Sequence, residues 1–324
     1  MKSKANSIKT TACILFIYSA GSLFGQNRSG VLILAHGGSP VWEATVHNAA
    51  APLKQQQPTE VAFGMADPMT MQEGINNLER QGASTIVIVP LFISSHSVIL
   101  RQTEYLVGLR KELADEPLLM NHSGSATAGT TGGHSHESSS GGYAGETHLQ
   151  TSLDPLIIHS KIILTKALDA DTLVASVLFE RIQEFSKDPT KETLLLIAHG
   201  PNEEEDNKEW IRELDDLAAQ IKIKQLQGKK EVFKNIFTCT VRDDANKKVY
   251  NEAKEKLRNI VQEANKESTT IVVPVVLAMG GIEKGIQKRL EGLEYTWVNK
   301  ALLPHENITR FIQNSVAKSL LISE

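Results

Sequence analysis

The chain has 324 residues, 41% of them hydrophobic and 22% charged, with a formal net charge of −4. That length suggests two domains, and the composition supplies enough apolar residues for proper cores. The acidic balance excludes a general nucleic-acid-binding surface.

Residues 1–25 read as a secretory signal peptide. Lys2, Lys4 and Lys9 precede the apolar run Cys13-Ile14-Leu15-Phe16-Ile17, and Ser19, Ala20, Gly21 and Ser22 follow. The run is too short to span a bilayer. The sequence therefore predicts export to a periplasmic or extracellular space, with no stable membrane insertion after cleavage; an uncleaved anchor or a misassigned start codon is the other reading. Cleavage removes Cys13 and leaves Cys239 alone, an inert thiol within the apolar run 237–241.

A first strand is predicted over Val31–Ala35, followed by a helix over Ser39–Gln55. A second strand over Glu60–Ala66 ends at Asp67-Pro68, and Pro68 suits the first turn of a helix running to Arg80. A third strand over Ala83–Ile93 leads into a helix over Val98–Leu113. Residues 121–150 break the pattern. They are rich in Gly, Ser and Thr and hold His122, His134, His136 and His148. Such a segment buries too little apolar surface to offset its ordering entropy, so a disordered insertion is expected. It reads either as a loose collector of divalent metal or as a plain linker. Order resumes with a strand over Leu156–Leu164 and a helix over Asp171–Phe185.

The chain then repeats itself. Thr193-Leu194-Leu195-Leu196-Ile197-Ala198-His199-Gly200 echoes Leu32–Gly37, and Thr269-Thr270-Ile271-Val272-Val273-Pro274-Val275-Val276-Leu277 echoes Ser84–Ile93, with Pro274 matching Pro90. A duplicated α/β unit is the economical explanation. The expected architecture is two similar parallel-sheet α/β domains, residues 26–189 and 190–324, with a cleft between them. A single duplicated chain supplies both halves, so a monomer suffices.

Parallel strands that end in histidine carry the candidate chemistry, because ligands of open α/β sheets bind beyond the carboxyl ends of the strands. His36 ends the first strand and His96 follows the third. Aligning Pro90 with Pro274 sets Gly280 opposite His96, so the second half keeps only His199. His199 is open to a structural role or a substrate-carboxylate contact. His305, after Pro304 at a predicted helix start, is open to capping or substrate contact.

Leu34-Ala35-His36-Gly37, Ala66-Asp67-Pro68, Ile88–His96 and Leu303-Pro304-His305-Glu306-Asn307-Ile308 resemble the class II tetrapyrrole chelatases, above all the sirohydrochlorin cobalto- and ferrochelatases. The resemblance covers most of the chain from Gly30 onward, apart from 121–150. It implies two α/β domains around a cleft and a tetrapyrrole substrate. It also implies a divalent metal ion (Co²⁺, Ni²⁺ or Fe²⁺) as co-substrate, with no organic cofactor. The metal-handling pair carries over to His36 and His96, and Asp67 stands where relatives carry an acid. Histidine suits such chemistry because its neutral imidazole ligates borderline metals and also accepts protons. A non-catalytic metal or tetrapyrrole carrier is the competing reading. Phosphate-binding glycine motifs and a Ser-His-Asp arrangement are not evident.

Overall fold

The computed structural model describes residues 28–113, 118 and 153–323. The expected signal peptide and the expected 121–150 insertion lie outside them. Two four-stranded, all-parallel sheets form the framework. In the first half the elements are β1 (Ser29–Ala35), α1 (Pro40–Lys54), β2 (Thr59–Phe63), α2 (Pro68–Arg80), β3 (Thr85–Pro90), α3 (Val98–Leu106), β4 (Lys161–Leu164) and α4 (Thr172–Gln183). In the second they are β5 (Glu192–Ala198), α5 (Glu204–Gln227), β6 (Asn235–Thr240), α6 (Lys247–Ala264), β7 (Thr269–Pro274), α7 (Ile282–Arg289), β8 (Thr296–Trp297) and α8 (Glu306–Ser323). Strand orders β2-β1-β3-β4 and β6-β5-β7-β8 are the same topology twice. Leu34 pairs with Pro90 and Ile197 with Pro274, so the two prolines hold equivalent positions and His96 is the counterpart of Gly280.

The apolar runs are continuous because each sheet is covered on both faces. Leu32 and Leu34 face an outer core with Met71, Ile75 and Leu78 of α2. Leu195 and Ile197 face its equivalent, with Leu257 and Val261 of α6 and the buried Cys239. Val31, Ile33, Leu194 and Leu196 instead share one central core with α1, α4, α5 and α8. The closing helix of each half lies against the other half. α8 packs on α1, α4 and β3, while α4 packs on α5. Thr309 donates to the Ala49 carbonyl at 3.0 Å, and Gln220 to that of Ala170 at 2.7 Å.

Several elements are shorter than their apolar runs. β2 stops at Phe63 because Gly64 and Ala66 turn through positive φ, 129° and 56°. α3 stops at Leu106, short of Leu113, and the chain leaves through Gly108 at φ 76°. β4 begins only at Lys161. The Ala-His-Gly repeat has a steric reason. Gly37 and Gly200 have φ 85° and 75°, and a Cβ at Gly200 would lie 2.4 Å from Thr240 Cβ on the neighbouring strand. Among the described residues no helix is long and apolar enough to cross a membrane.

Candidate active site

His36 leaves the carboxyl end of β1, and His96 sits in the loop leaving the adjacent strand β3. The exposed His36 ring lies with Nδ1 3.0 Å from the Gly37 carbonyl oxygen. An Nδ1–H donated there leaves the Nε2 lone pair available to a ligand. The His96 loop is held on several sides. Asp169 accepts from the Ser95 backbone N–H at 2.6 Å and the Ser95 hydroxyl at 2.9 Å, and the same hydroxyl accepts from the Ala167 N–H at 2.9 Å. Ser94 Oγ accepts from the His96 N–H at 3.0 Å, and Ser97 caps α3. A site residue on a loop so tied is nearly as fixed as one on a strand.

The second half grips the same loop. Trp210 of α5 donates its indole N–H to the His96 carbonyl at 2.7 Å. One turn on, Glu213 Oε1 lies 3.7 Å from His96 Nε2, and Glu209 Oε2 lies 3.9 Å from it. Arg101 of α3 forms a bidentate pair with Asp206 of α5 at 2.9 and 2.8 Å. In the reverse direction, Trp42 of α1 donates its indole N–H to the Ala278 carbonyl, in the loop after β7, at 3.2 Å. Each half thus pins the other's strand-end loop with a tryptophan.

The CbiX family model matches residues 30–185. That match agrees with the resemblance to the class II tetrapyrrole chelatases. None of the curated proteins matches the chain. Two solved structures share its fold across both halves. SirB from Bacillus subtilis with Fe3+ aligns over 90% of this chain and 95% of its own, with a TM-score of 0.57 at 15% identity. The sirohydrochlorin chelatase SirB from Bacillus subtilis subspecies spizizenii, in complex with cobalt, covers the same shares with a TM-score of 0.52 at 14% identity.

Within this chelatase frame the other sequence-derived candidates take definite places. Asp67 is buried and caps α2, its Oδ1 accepting from the Met69 N–H at 2.9 Å. His199 Nε2 lies 3.3 Å from Asp244 Oδ2. The His199 hydrogen bond outweighs burial and holds the Asp244 carboxyl below its ordinary range, and His36 adds to the same field. His305 caps α8, with Nδ1 accepting from the Asn307 N–H at 3.1 Å and Nε2 3.1 Å from Glu180. Among the described residues, no three His, Cys, Asp or Glu side chains gather closely enough to hold a metal ion.

Sequence reading missed Trp210, Glu213, Asp169 and Asp244. Glu213 left a signal. It falls on the buried stripe of α5, between Trp210 and Leu217, and a carboxylate on an apolar stripe is out of place. Only 8% of the residue is exposed. Burial pushes its carboxyl up to about 7, with the Ser94 hydrogen bond working against that and Asp169 reinforcing it.

Proposed function

We propose that this chain is a metallochelatase that inserts a divalent metal ion into sirohydrochlorin or a related acidic tetrapyrrole. The observation that carries the reading is the placement of His36 and His96 at the carboxyl ends of adjacent parallel strands, in the half that matches the CbiX model. Insertion requires the ion to shed water and two pyrrole N–H protons to leave. Two imidazoles serve both needs, as ligands to a borderline ion and as proton acceptors. Two ligands bind weakly, which suits an ion that must be released into the macrocycle. Asp169, Glu209 and Asp244 around the strand ends supply a negative field that favours a cation's approach. Co²⁺ is the first choice of metal, with Ni²⁺ and Fe²⁺ behind it. The signal-peptide-like composition of residues 1–25 supports an exported enzyme.

Visible absorption tests this directly. Sirohydrochlorin and Co²⁺, Ni²⁺ or Fe²⁺ are mixed with the protein, with its His36→Ala, His96→Ala double variant, or with no protein. The expected result is accelerated spectral conversion that falls at least ~100-fold in the double variant. His199→Ala stays within about threefold of the parent, because its ring is committed to Asp244. Metal or tetrapyrrole binding without acceleration makes the protein a carrier and overturns the catalytic reading.

A further inference from the structure

α5 holds His96 at two points. Trp210 fixes its carbonyl, and the carboxylates of Glu209 and Glu213 face its Nε2 at 3.9 and 3.7 Å. Glu209 is already committed, because Arg212 pairs with it from the next turn. Glu213 is different. It is buried, its carboxylate takes the Ser94 hydroxyl, and that hydroxyl in turn accepts from the His96 backbone. A leucine at this stripe position would pack without a desolvation cost, so the buried carboxylate costs stability where it stands.

Metal-ligating histidines usually donate their second ring N–H to a carboxylate, which fixes the tautomer and the ring plane. We propose that Glu213, supplied by the second half, is the positioning residue of His96: its carboxylate takes the Nε2–H, leaves Nδ1 unprotonated, and presents Nδ1 as the metal-facing nitrogen. This rests on the reading of His96 as a metal ligand. The 3.7 Å separation shortens to a hydrogen bond when a metal draws on Nδ1, as metal-free or substrate-free sites commonly tighten on loading. The second half then has a definite task in the reaction, which is to orient a histidine it does not itself carry.

The test uses the full chain with Glu213→Gln, Glu213→Asp and His96→Ala. Imidazole ¹⁵N spectra, with His96 assigned by its loss in His96→Ala, report the tautomer; calorimetry reports Co²⁺ affinity; turnover reports KM for the tetrapyrrole. The expected parent spectrum shows Nε2–H with Nδ1 unprotonated. Glu213→Gln gives mixed tautomers and Co²⁺ binding weakened about 10- to 100-fold, with KM for the tetrapyrrole within about twofold. Glu213→Asp recovers part of the affinity. Glu213→Gln with parental tautomer and Co²⁺ affinity overturns the proposal, and so does a parent spectrum with Nε2 unprotonated, which needs no variant to fold. Loss of Co²⁺ binding in His96→Ala beside a parental Glu213→Gln leaves the site reading standing and removes only the positioning role. Undiminished Co²⁺ binding in His96→Ala removes both.

Discussion

The loops after β3 and β7 are the same piece of structure put to different use. Both follow a proline at the same register, and both present a carbonyl to a tryptophan from the opposite half, His96 to Trp210 and Ala278 to Trp42. Three residues past Trp210 on α5 stands Glu213; three past Trp42 on α1 stands Thr45, whose hydroxyl turns back to the Trp42 carbonyl at 2.6 Å. The first-half loop carries an imidazole against a carboxylate. The second-half loop carries Gly280, where a Cβ would only meet the Trp42 ring at 3.6 Å. The two ties are analogous rather than copied, because Ala278 is the counterpart of Ser94 and not of His96, and Trp42 lies six residues past His36 whereas Trp210 lies eleven past His199; the two copies have also diverged in the side chains these loops carry.

The contacts between the halves make each half incomplete. The inner faces of both sheets, the exchanged helices α4 and α8, and α5 form one core. Separating the chain at residue 189 exposes Val31, Ile33 and Val89 on one piece and Leu194, Leu196 and Val273 on the other. Neither piece is expected to show a cooperative unfolding transition alone, whereas co-expression restores one. A well-folded first half by itself would mean that the central core is dispensable and the comparison is between two independent domains.

The tryptophans separate structural from chemical roles. Trp→Phe keeps most of the ring and deletes the N–H, which strips a backbone carbonyl of its donor in either loop. Each substitution should cost about 1–2 kcal/mol in denaturant unfolding. Trp210→Phe should also lower kcat about tenfold, because it releases the loop that holds His96, while Trp42→Phe should leave kcat within about twofold. Equal losses of kcat would make the two loops functionally alike.

Much of this was legible in the sequence. The β-branched runs, the Ala-His-Gly repeat and the aligned prolines sufficed for two parallel α/β units, because a strand buried on both faces leaves a continuous apolar signature. Pro68 marked the start of α2 for a local reason, its fixed φ. Strand ends were over-read at Ala66 and Ile93, because apolar residues in a turn look like strand until the backbone leaves the sheet. The contacts between halves left little trace. A tryptophan reaching a carbonyl 114 or 236 positions away has no periodicity, and Asp169 is an ordinary loop residue until Ser95 meets it. Only Glu213, a carboxylate out of place on an apolar stripe, announced itself.

The segments entering the fourth strand of each sheet give the finest contrast. In the first half, Glu79 of α2 accepts from the backbone N–H groups of His159 and Ser160 at 2.7 and 2.8 Å. In the second, Asn265 beyond α6 donates to the Glu294 carbonyl at 2.7 Å. One tie is charged and the other neutral. Burial alone would raise the Glu79 carboxyl, but those N–H groups outweigh it and hold it below the ordinary range. A lowered native pKa means that this stabilisation is present above the usual carboxylate range and is lost as pH falls through the lowered value. Glu79→Gln should therefore cost about 1 kcal/mol near neutral pH, discounted for partial solvent screening. That cost should shrink toward zero as unfolding is repeated down to about pH 3. Asn265→Ala should cost a similar ~1 kcal/mol, independent of pH over that range. If the Glu79→Gln cost is flat with pH, the tie works by shape alone, and the two sheets enter their last strands in the same way.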